Sequence, residues 1–571
     1  MTPVATEPGS RSRSRISRYV PILEWLPKYR TDWLSRDVIA GLTVWALVVP
    51  ESMAYAAIAG VPVQFGLYAV PLALIGYVVF GSCPQLFVGP SATVASISAV
   101  AVAAASTSGT SGSQVIALSA ALALMVGVIY ILLGLARMGF VARFFANPVL
   151  DGFIIGLGLY IAVGQLPKLV GISKPSGNTV QIFFDTLRDV DSWQWTTVAV
   201  GALSVGALFA LARFVPKAPG ALIVAAVAIV AVGSLDLDVD VVGTVPTGFD
   251  FVSWSGIGWN QLEDLLPGAL AIVIVGFAQS VAIAKAYAAK GGYRIDASQE
   301  MIGYGAANLG AGALQGFTVT GSLSKSAAAE EAKGKSPVLL VVTAIAVVLT
   351  ILFLAGLFEN LPEATLAAIV IHAVSGMVDF SKLVRLWRAH RDEFALAAGA
   401  LLGVILIGIL AGVLIGVMLS FALLIHRLDH PYVPLLGRRH AGGSFHDLAT
   451  HDDASPVPGV LIQRFEAPLI FANAEVFGDG VLEAVTEAVP SPSVVILDFE
   501  AVSYVDSTGS AALAALKDTL DDRGVVLAVA RAMGAARDLL RRDGIVAALG
   551  EDHFFATVSD AVVALSDDPA T

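Results

Sequence analysis

Long apolar stretches, separated by short polar ones, fill the chain between residues 37 and 428. A helix needs about 20 apolar residues to cross a bilayer. By that measure the pattern predicts about 14 spanning or half-spanning helices. Their predicted centres are residues 47, 72, 97, 124, 158, 203, 228, 275, 305, 324, 346, 369, 401 and 417. The fold class predicted for this region is therefore a polytopic α-helical membrane protein.

Two of the apolar stretches are interrupted by small residues at corresponding places in the two halves of the chain. Gly89-Pro90 interrupts the third stretch, and Gly321-Ser322 interrupts the tenth. Matching breaks of this kind indicate a transporter binding site. Half-helices that begin near Pro90 and near Ser322 would direct unpaired N–H groups and positive dipole ends toward that site. The ligand inferred from this arrangement is an anion.

Hydroxyl groups and one cation follow these breaks. Ser91 comes directly after the first break, and Ser324 and Lys325 come directly after the second. A charge within a membrane span is costly, which makes Lys325 a functional candidate by default. These three side chains are the donors that the sequence offers to an anion.

The distribution of cationic residues predicts the topology, because short cytoplasmic loops carry an excess of Lys and Arg. Alternate loops are cationic, with Lys168 and Lys174 as exceptions, which favours an even number of crossings with both termini in the cytoplasm. The two halves, about 37–240 and about 261–428, then have opposite orientations and are predicted to be inverted repeats of seven helices each. The loop cations are Arg137, Arg143, Arg213, Lys217, Lys285, Lys290, Arg294, Lys333, Lys335, Lys382, Arg385, Arg388, Arg391, Arg427, Arg438 and Arg439.

Composition and charge separate a membrane part from an acidic tail. Hydrophobic residues make up 56% of the 571-residue chain and charged residues 14%, whereas a typical soluble domain has roughly 25% charged residues. Residues 1–440 contain 27 Lys+Arg and 25 Asp+Glu, and residues 441–571 contain 7 and 21. The predicted domains are a cytoplasmic N-terminal segment at 1–36, a transmembrane transport domain at 37–428, a linker at 429–457 and a cytoplasmic soluble domain at 458–571.

Several motifs resemble those of one family. The first helix reads Val49-Pro50-Glu51-Ser52-Met53-Ala54-Tyr55-Ala56, and the tenth reads Ser324-Lys325-Ser326-Ala327 after Gln315-Gly316-Phe317. These motifs resemble the SulP sulfate permeases and related solute-carrier anion exchangers, and the resemblance covers nearly the whole chain. It implies fourteen helices in two intertwined inverted repeats, a core domain that moves against a gate domain, and a homodimer. It also implies that anions bind between the third and tenth helices, lined by Glu51, Tyr55, Ser91, Ser324 and Lys325.

Glu51 places a carboxylate at the predicted anion site, where its charge would oppose binding. Burial and a neighbouring anion both favour the neutral form of a carboxyl group, so a proton could accompany each substrate. An acid at this position resembles the proton-coupled bacterial relatives, which favours symport. Gln279 stands where many relatives carry an acid on the eighth helix. Because an amide does not titrate, sodium coupling is not expected, and any proton coupling falls to Glu51.

Each of these side chains also has a purely structural interpretation. Lys325 could reach the membrane surface or pair with Glu330 or Glu331 about one turn further on. Glu51 could be a buried structural acid, and Tyr55 could contribute only packing. The serine residues at the breaks could serve only to let helices approach closely.

The acidic tail has a motif of its own. Val494–Asp498 reads as a buried strand, and Asp506-Ser507-Thr508-Gly509 reads as a turn leading into a helix. With the further segments up to Leu565, the tail predicts a small α/β domain with helices on one side of the sheet. It resembles the STAS domain, a fold shared with bacterial anti-sigma-factor antagonists that are phosphorylated at the position of Ser507. Ser507 is therefore a candidate regulatory phosphosite, with a plain helix cap as the alternative.

The function predicted from these features is secondary transport of an inorganic oxyanion, sulfate first, across the cytoplasmic membrane. No hydrolase, nucleotide or metal motif is present in the sequence, so we expect no enzymatic activity, catalytic residue, metal or cofactor, and the proton is the expected coupling ion. The acidic tail argues against a nucleic-acid partner and leaves cytoplasmic proteins as partners. Alternatives are a bicarbonate or dicarboxylate transporter, an anion exchanger or channel, and a membrane-anchored STAS sensor.

Overall fold

The computed structural model describes residues 19–107, 109–140, 147–216, 218–254, 257–439 and 444–566. The first half of the predicted N-terminal segment, residues 1–18, and the loop cations Arg143 and Lys217 lie outside these residues. Contacts divide the chain into two compact units, Met1–Ser420 and Phe421–Thr571. We refer to them as the membrane unit and the C-terminal unit.

Fourteen helices correspond to the predicted apolar stretches, and each predicted centre lies inside one of them. They are α1 (Leu34–Ala59), α2 (Pro71–Phe80), α3 (Ala92–Ala105), α4 (Gly112–Leu135), α5 (Asn147–Val170), α6 (Trp195–Phe214), α7 (Gly220–Leu235), α8 (Trp259–Gly291), α9 (Ala297–Ala313), α10 (Leu323–Glu331), α11 (Val338–Leu349), α12 (Glu363–Ser375), α13 (Arg391–Leu406) and α14 (Ile409–Asp429). Shorter helices at Ile22–Trp25, Gln64–Tyr68, Thr179–Arg188 and Phe380–Ala389 connect or precede them.

Eight helical segments in the described part of the chain are long and apolar enough to cross a membrane. Several others are too short for that, since α3 has 14 residues and α10 has 9, against roughly 20 for a full span. The count of fourteen spans therefore stays a prediction. The eight segments are Thr31–Ala59, Gly112–Leu135, Asn147–Val170, Trp195–Phe214, Trp259–Gly291, Val338–Phe358, Glu363–Ala389 and Ile409–Asp429.

Helix packing in the membrane unit occurs in matched pairs. Helix α8 packs against α3 while α1 packs against α10, and α9 packs against α4 while α2 packs against α11. In the same way α13 packs against α5 and α6 against α12. In each pair of contacts, every helix of one contact is replaced in the other by the helix seven places away in the chain, so that α1 corresponds to α8 and α3 to α10. This relation is expected of two intertwined seven-helix repeats.

The two predicted breaks are joined directly by a pair of short strands. Strand β1 (Phe87–Gly89) runs antiparallel to β2 (Thr320–Ser322), with Phe87 opposite Ser322 and Gly89 opposite Thr320. All residues of both strands are buried. Helices α3 and α10 follow the strands, so both helix N-termini lie at the strand pair and the helices leave it in opposite directions. The fold thereby brings together two breaks that lie more than two hundred residues apart in the chain.

The C-terminal unit contains a four-stranded parallel sheet in the order β5-β6-β7-β8. Alternate side chains of the strands are buried in two separate hydrophobic clusters. The last helix, Val558–Leu565, packs in one cluster, and the other helices of this unit pack in the other. Helices therefore cover both faces of the sheet, and the prediction of helices on one side only was wrong. The elements are β3 (Leu436–Arg438), β4 (Phe445–Asp447), β5 (Val460–Arg464), α15 (Ala474–Glu487), β6 (Val494–Asp498), α16 (Ser507–Asp522), β7 (Val526–Ala530), α17 (Gly534–Arg542), α18 (Ile545–Leu549), β8 (Phe554–Phe555) and α19 (Val558–Leu565).

The segment predicted as a linker is not separate from this sheet. It contains β3 and β4, which pair antiparallel, and Arg464 of β5 donates its backbone N–H to the carbonyl of Pro434. At the end of β6, fully buried Asp498 accepts hydrogen bonds from Arg464 Nε at 2.7 Å and from Arg531 Nε at 2.9 Å. Two arginines thus compensate the one buried carboxylate at this edge of the sheet.

Candidate functional site at the two helix breaks

Lys325 lies in the first turn of α10 and is only 1% exposed. Its Nζ is 2.5 Å from Oε2 of Glu51 on α1, whose side chain is 14% exposed. The alternatives for Lys325 are therefore wrong, because it neither reaches the surface nor pairs with an acid one turn further on. Glu330 instead accepts a hydrogen bond from Lys290 Nζ at 2.5 Å. The buried cation is balanced by a carboxylate from the other half of the chain.

Tyr55 completes this pair. It lies four residues after Glu51 on the same helix face, and its hydroxyl donates to Oε2 of Glu51 at 3.1 Å. Lys325 Nζ lies 5.1 Å from the centre of the Tyr55 ring and 5.9 Å from that of Phe87, distances at which an aromatic face stabilises a cation. Helix α1, strand β1 and helix α10 therefore meet at one ammonium group.

The two predicted serine ligands differ in exposure. Ser91 is the residue before α3, and its hydroxyl is buried with no hydrogen-bond partner among the described residues. Ser324 is exposed, and its hydroxyl lies 3.3 Å from that of Ser322. Neither Ser91 nor Ser322 caps its own helix with its side chain. Among the described residues, the first N–H groups of α3 and α10 thus have no side-chain cap, which leaves them the donor capacity that an anion site at these breaks needs.

The small residues at the breaks shape the backbone rather than supply donors. A Cβ added to Gly321 would lie 2.9 Å from Ser280 Oγ and 3.0 Å from Ser280 Cβ, so a side chain does not fit there. A Cβ added to Gly89 would lie 2.5 Å from the ring of Phe87. Pro90 has no N–H to leave unpaired, and it lies between β1 and Ser91, the residue before α3.

Two further hydroxyl residues, Ser280 and Ser326, hold the breaks in place, a role that sequence reasoning predicted for neither. Ser280 Oγ accepts from the N–H of Gly321 at 2.8 Å and lies 2.7 Å from Thr320 Oγ1. Ser326 Oγ accepts from the N–H of Phe87 at 2.8 Å and donates to the carbonyl of Ser322 at 2.7 Å. The contact between the Ser326 hydroxyl and the Ser322 carbonyl could have been predicted, because a serine often donates to the carbonyl one helical turn before it. Nothing local in the sequence indicates that Ser280 reaches Gly321.

In the C-terminal unit, Asp506 and not Ser507 caps α16. Oδ1 of Asp506 accepts from the N–H of Gly509 at 2.8 Å. The interpretation of Ser507 as a plain cap is therefore wrong. Ser507 is the first residue of the helix and is exposed.

Comparison with known protein families decides what kind of protein this arrangement belongs to. Residues 34–400 match the Sulfate permease family, and residues 453–561 match the STAS domain. This chain belongs to the sulfate permease family. The resemblance predicted from the motifs is confirmed, as is the prediction of a multi-pass membrane transporter rather than an enzyme.

Named relatives of this permease match over almost its whole length. A probable sulfate transporter of Mycobacterium tuberculosis is 35% identical over 540 residues, which cover 94% of this chain and 96% of the relative. Sulfate transporter 4.1, chloroplastic, of Arabidopsis thaliana is 31% identical over 568 residues, which cover 96% of this chain and 82% of the relative. The similarity therefore includes both units of the chain.

Solved structures show the same fold. The murine Solute Carrier 26 family member A9 anion transporter, in the inward-facing state, superposes with a TM-score of 0.89 at 24% identity, covering 98% of this chain and 96% of that one. The transmembrane domain of a cyanobacterial bicarbonate transporter gives a TM-score of 0.59 at 20% identity, covering 69% and 98%. The predicted fold class, a helical membrane domain followed by an α/β STAS domain, is confirmed.

Proposed function

We propose that this permease is a secondary active transporter of inorganic oxyanions, with sulfate as the first substrate and the proton as coupling ion. The observation that carries the proposal is the buried ammonium of Lys325, placed beside two helix starts that lack side-chain caps. A buried cation and free N–H groups suit a small oxyanion. Sulfate takes first place because the relatives covering most of this chain are named sulfate transporters.

Glu51 and the substrate compete for the same cation. In the structure Lys325 is paired with Glu51, and an ammonium held by a carboxylate is a poor acceptor of a second anion. Protonation of Glu51 removes that competitor and leaves Lys325 in need of a counter-ion, because an unpaired buried charge is costly. Proton binding at Glu51 and anion binding at Lys325 would therefore favour each other, which is the requirement for symport.

The other site residues have supporting roles in this proposal. Ser91 and Ser324 would donate their hydroxyl groups to the oxyanion. Tyr55 would keep Glu51 oriented through its hydroxyl and stabilise Lys325 through its ring. The strand pair between the two breaks would hold both helix starts around one anion.

Localisation and assembly complete the proposal. The protein would reside in the cytoplasmic membrane with both termini in the cytoplasm, as the distribution of loop cations favours. It would work as a homodimer, and the STAS domain would bind cytoplasmic partners. Ser507 would be a regulatory phosphosite, since its hydroxyl is exposed at the start of a helix, where a phosphate is favoured.

Uptake into liposomes tests the substrate and the coupling together. Purified full-length protein is reconstituted, and labelled sulfate uptake is measured with and without an inward proton gradient, in competition with bicarbonate, succinate or fumarate. We expect uptake that the gradient stimulates and that the competitors reduce only weakly. Uptake of a competitor without sulfate flux would overturn the substrate, and sulfate flux indifferent to the gradient would overturn the coupling. No flux of any anion would favour a sensor instead of a transporter.

A further inference from the structure

Within the membrane unit, a cavity of about 470 Å³ lies between the N-terminal segment and the loops after α2 and before α11. We call it the N-terminal cavity. One wall is the segment before α1, which contributes Trp25, Lys28, Tyr29 and Trp33. The opposite wall is formed by the loop after α2, by Tyr293 and by the loop before α11. None of the proposed transport-site residues lines it, so it is a separate feature of the molecule.

Two buried carboxylates fix the loops of the opposite wall. Asp37 accepts from the N–H groups of Lys335 at 2.6 Å and Ser336 at 3.1 Å. Glu300 accepts from the N–H groups of Ser82 at 2.7 Å and Cys83 at 3.1 Å. Both acids are fully buried. Their second oxygens accept from the hydroxyl of Ser336 at 2.7 Å and from that of Tyr77 at 2.8 Å, respectively. The wall is therefore held in place without a ligand, as a preformed binding site requires.

The lining of the cavity suits an anionic group attached to an apolar body. Lys28 and Lys335 outnumber the one lining carboxylate, Glu24. The Nε1 atom of Trp25 is buried and has no hydrogen-bond partner in the described part of the chain, although a buried indole N–H normally finds an acceptor. Tyr77 adds a further aromatic ring to the wall. An anion in the cavity would meet two ammonium groups and an unused N–H donor.

The surroundings of the cavity point to a lipid. Leu23 and Leu26 on the same segment are 54% and 51% exposed, as expected of residues that rest on a bilayer. Tyr293 and Lys335 belong to the cationic loops, which lie at the cytoplasmic end by the positive-inside rule. Anionic lipids attract basic segments at a cytoplasmic membrane surface.

We propose that the N-terminal cavity binds the phosphate-bearing headgroup of an anionic phospholipid. Lys28 and Lys335 contact the phosphate, Trp25 donates its N–H, and the aromatic rings pack against the glycerol and the first acyl carbons. The bound lipid attaches the N-terminal segment to the loops before α11 and after α2. This assignment does not depend on the transported anion or on proton coupling.

Lipid binding by the purified full-length protein tests the assignment. Short-chain phosphatidylglycerol is titrated against the protein in neutral detergent, and bound lipid is counted by native mass spectrometry, with phosphatidylcholine and inorganic phosphate as separate arms. We expect one saturable phosphatidylglycerol that phosphatidylcholine does not replace. The double variant Lys28→Ala/Lys335→Ala should bind it at least about tenfold more weakly, the effect of losing a charge-assisted hydrogen bond. Alanine at 335 keeps the backbone contact to Asp37.

A matched variant and a conservative one complete the test. Lys285→Ala/Lys333→Ala removes the same number of positive charges from two exposed lysines that do not line the cavity, and it should bind phosphatidylglycerol like the wild type. Trp25→Phe keeps an aromatic ring but removes the N–H, and it should weaken binding less than the lysine variant does. Equal binding of phosphatidylcholine, equal occupancy by inorganic phosphate alone, or unchanged affinity in the lysine variant would each overturn the proposal.

Discussion

The two helix breaks share one backbone plan but differ in charge. Each consists of a short strand followed by a helix without a side-chain cap, and the strands pair with each other. The second break carries the buried cation Lys325, whereas the first offers only the neutral Ser91. The balancing acid, Glu51, comes from the first half. The repeat thus supplies the geometry twice, but the charged pair exists only where the two halves meet.

A second difference concerns two serines at corresponding places, Ser280 after Gln279 and Ser52 after Glu51. Ser280 follows Gln279 on α8, and its hydroxyl accepts the N–H of Gly321. Ser52 follows Glu51 on α1 in the same way, yet its hydroxyl is buried without a partner among the described residues. Ser280 therefore fixes the second break through a side-chain contact, and Ser52 makes no equivalent contact with the first break in the described structure.

Removing the cation should have the largest effect. Lys325→Ala leaves Glu51 buried without its partner and removes the positive charge that an oxyanion needs. Losing one partner of a buried charge contact between a protein and its ligand costs about 2–5 kcal/mol of binding free energy, so sulfate affinity measured by equilibrium binding should fall by about thirtyfold or more. Lys290→Ala is the control, because it removes a lysine of an exposed pair. Wild-type affinity in the Lys325 variant would remove this residue from the site.

Neutralising the acid should separate coupling from binding. In Glu51→Gln the side chain can no longer exchange a proton, so sulfate uptake into liposomes should become indifferent to an imposed proton gradient. Gln279→Ala changes the corresponding residue of the second half and should leave the response to the gradient intact. Undiminished gradient-driven accumulation by the Glu51 variant would place the coupling elsewhere.

The difference between Ser280 and Ser52 predicts unequal stability effects. Ser280→Ala leaves the buried N–H of Gly321 without its acceptor, which should destabilise the protein by about 1–3 kcal/mol. Ser52→Ala removes a hydroxyl that has no partner in the described structure and should cost less. The thermal unfolding midpoint of the purified protein in detergent compares the two variants. Equal shifts would contradict the contrast between the two breaks.

The smallest effect is expected at the neutral break. Ser91→Ala removes one hydroxyl donor and should weaken sulfate binding by no more than about tenfold, as for one hydrogen bond. Ser98→Ala, further along α3, also removes a buried hydroxyl without a described partner and should leave the affinity unchanged. If the two variants bind sulfate equally well, Ser91 is a packing residue.

Sequence reasoning found the features that local pattern determines. Helix positions follow from the lengths of the apolar stretches, and the breaks follow from Gly89-Pro90 and Gly321-Ser322, where regular helix is disfavoured. The burial of Lys325 also followed from its place inside an apolar stretch. These properties depend on neighbouring residues alone.

The missed features depend on contacts between distant segments. Lys325 and Glu51 were both named as site residues, but their pairing across 274 positions has no local signal. The contact between Ser280 and Gly321 and the placement of α19 on the second sheet face are tertiary in the same sense. The cap of α16 is a local feature, but Ser507 was named as the possible cap, whereas the residue before it, Asp506, accepts the N–H of Gly509.

The central claim is that a proton on Glu51 and an anion at Lys325 bind together. The most direct measurement is the internal pH of liposomes containing the purified protein, followed with a trapped pH-sensitive dye after sulfate is added outside without an imposed gradient. We predict that sulfate acidifies the interior in the wild type and that Glu51→Gln abolishes the acidification while sulfate still binds. Sulfate uptake by the wild type with no change in internal pH would contradict the account.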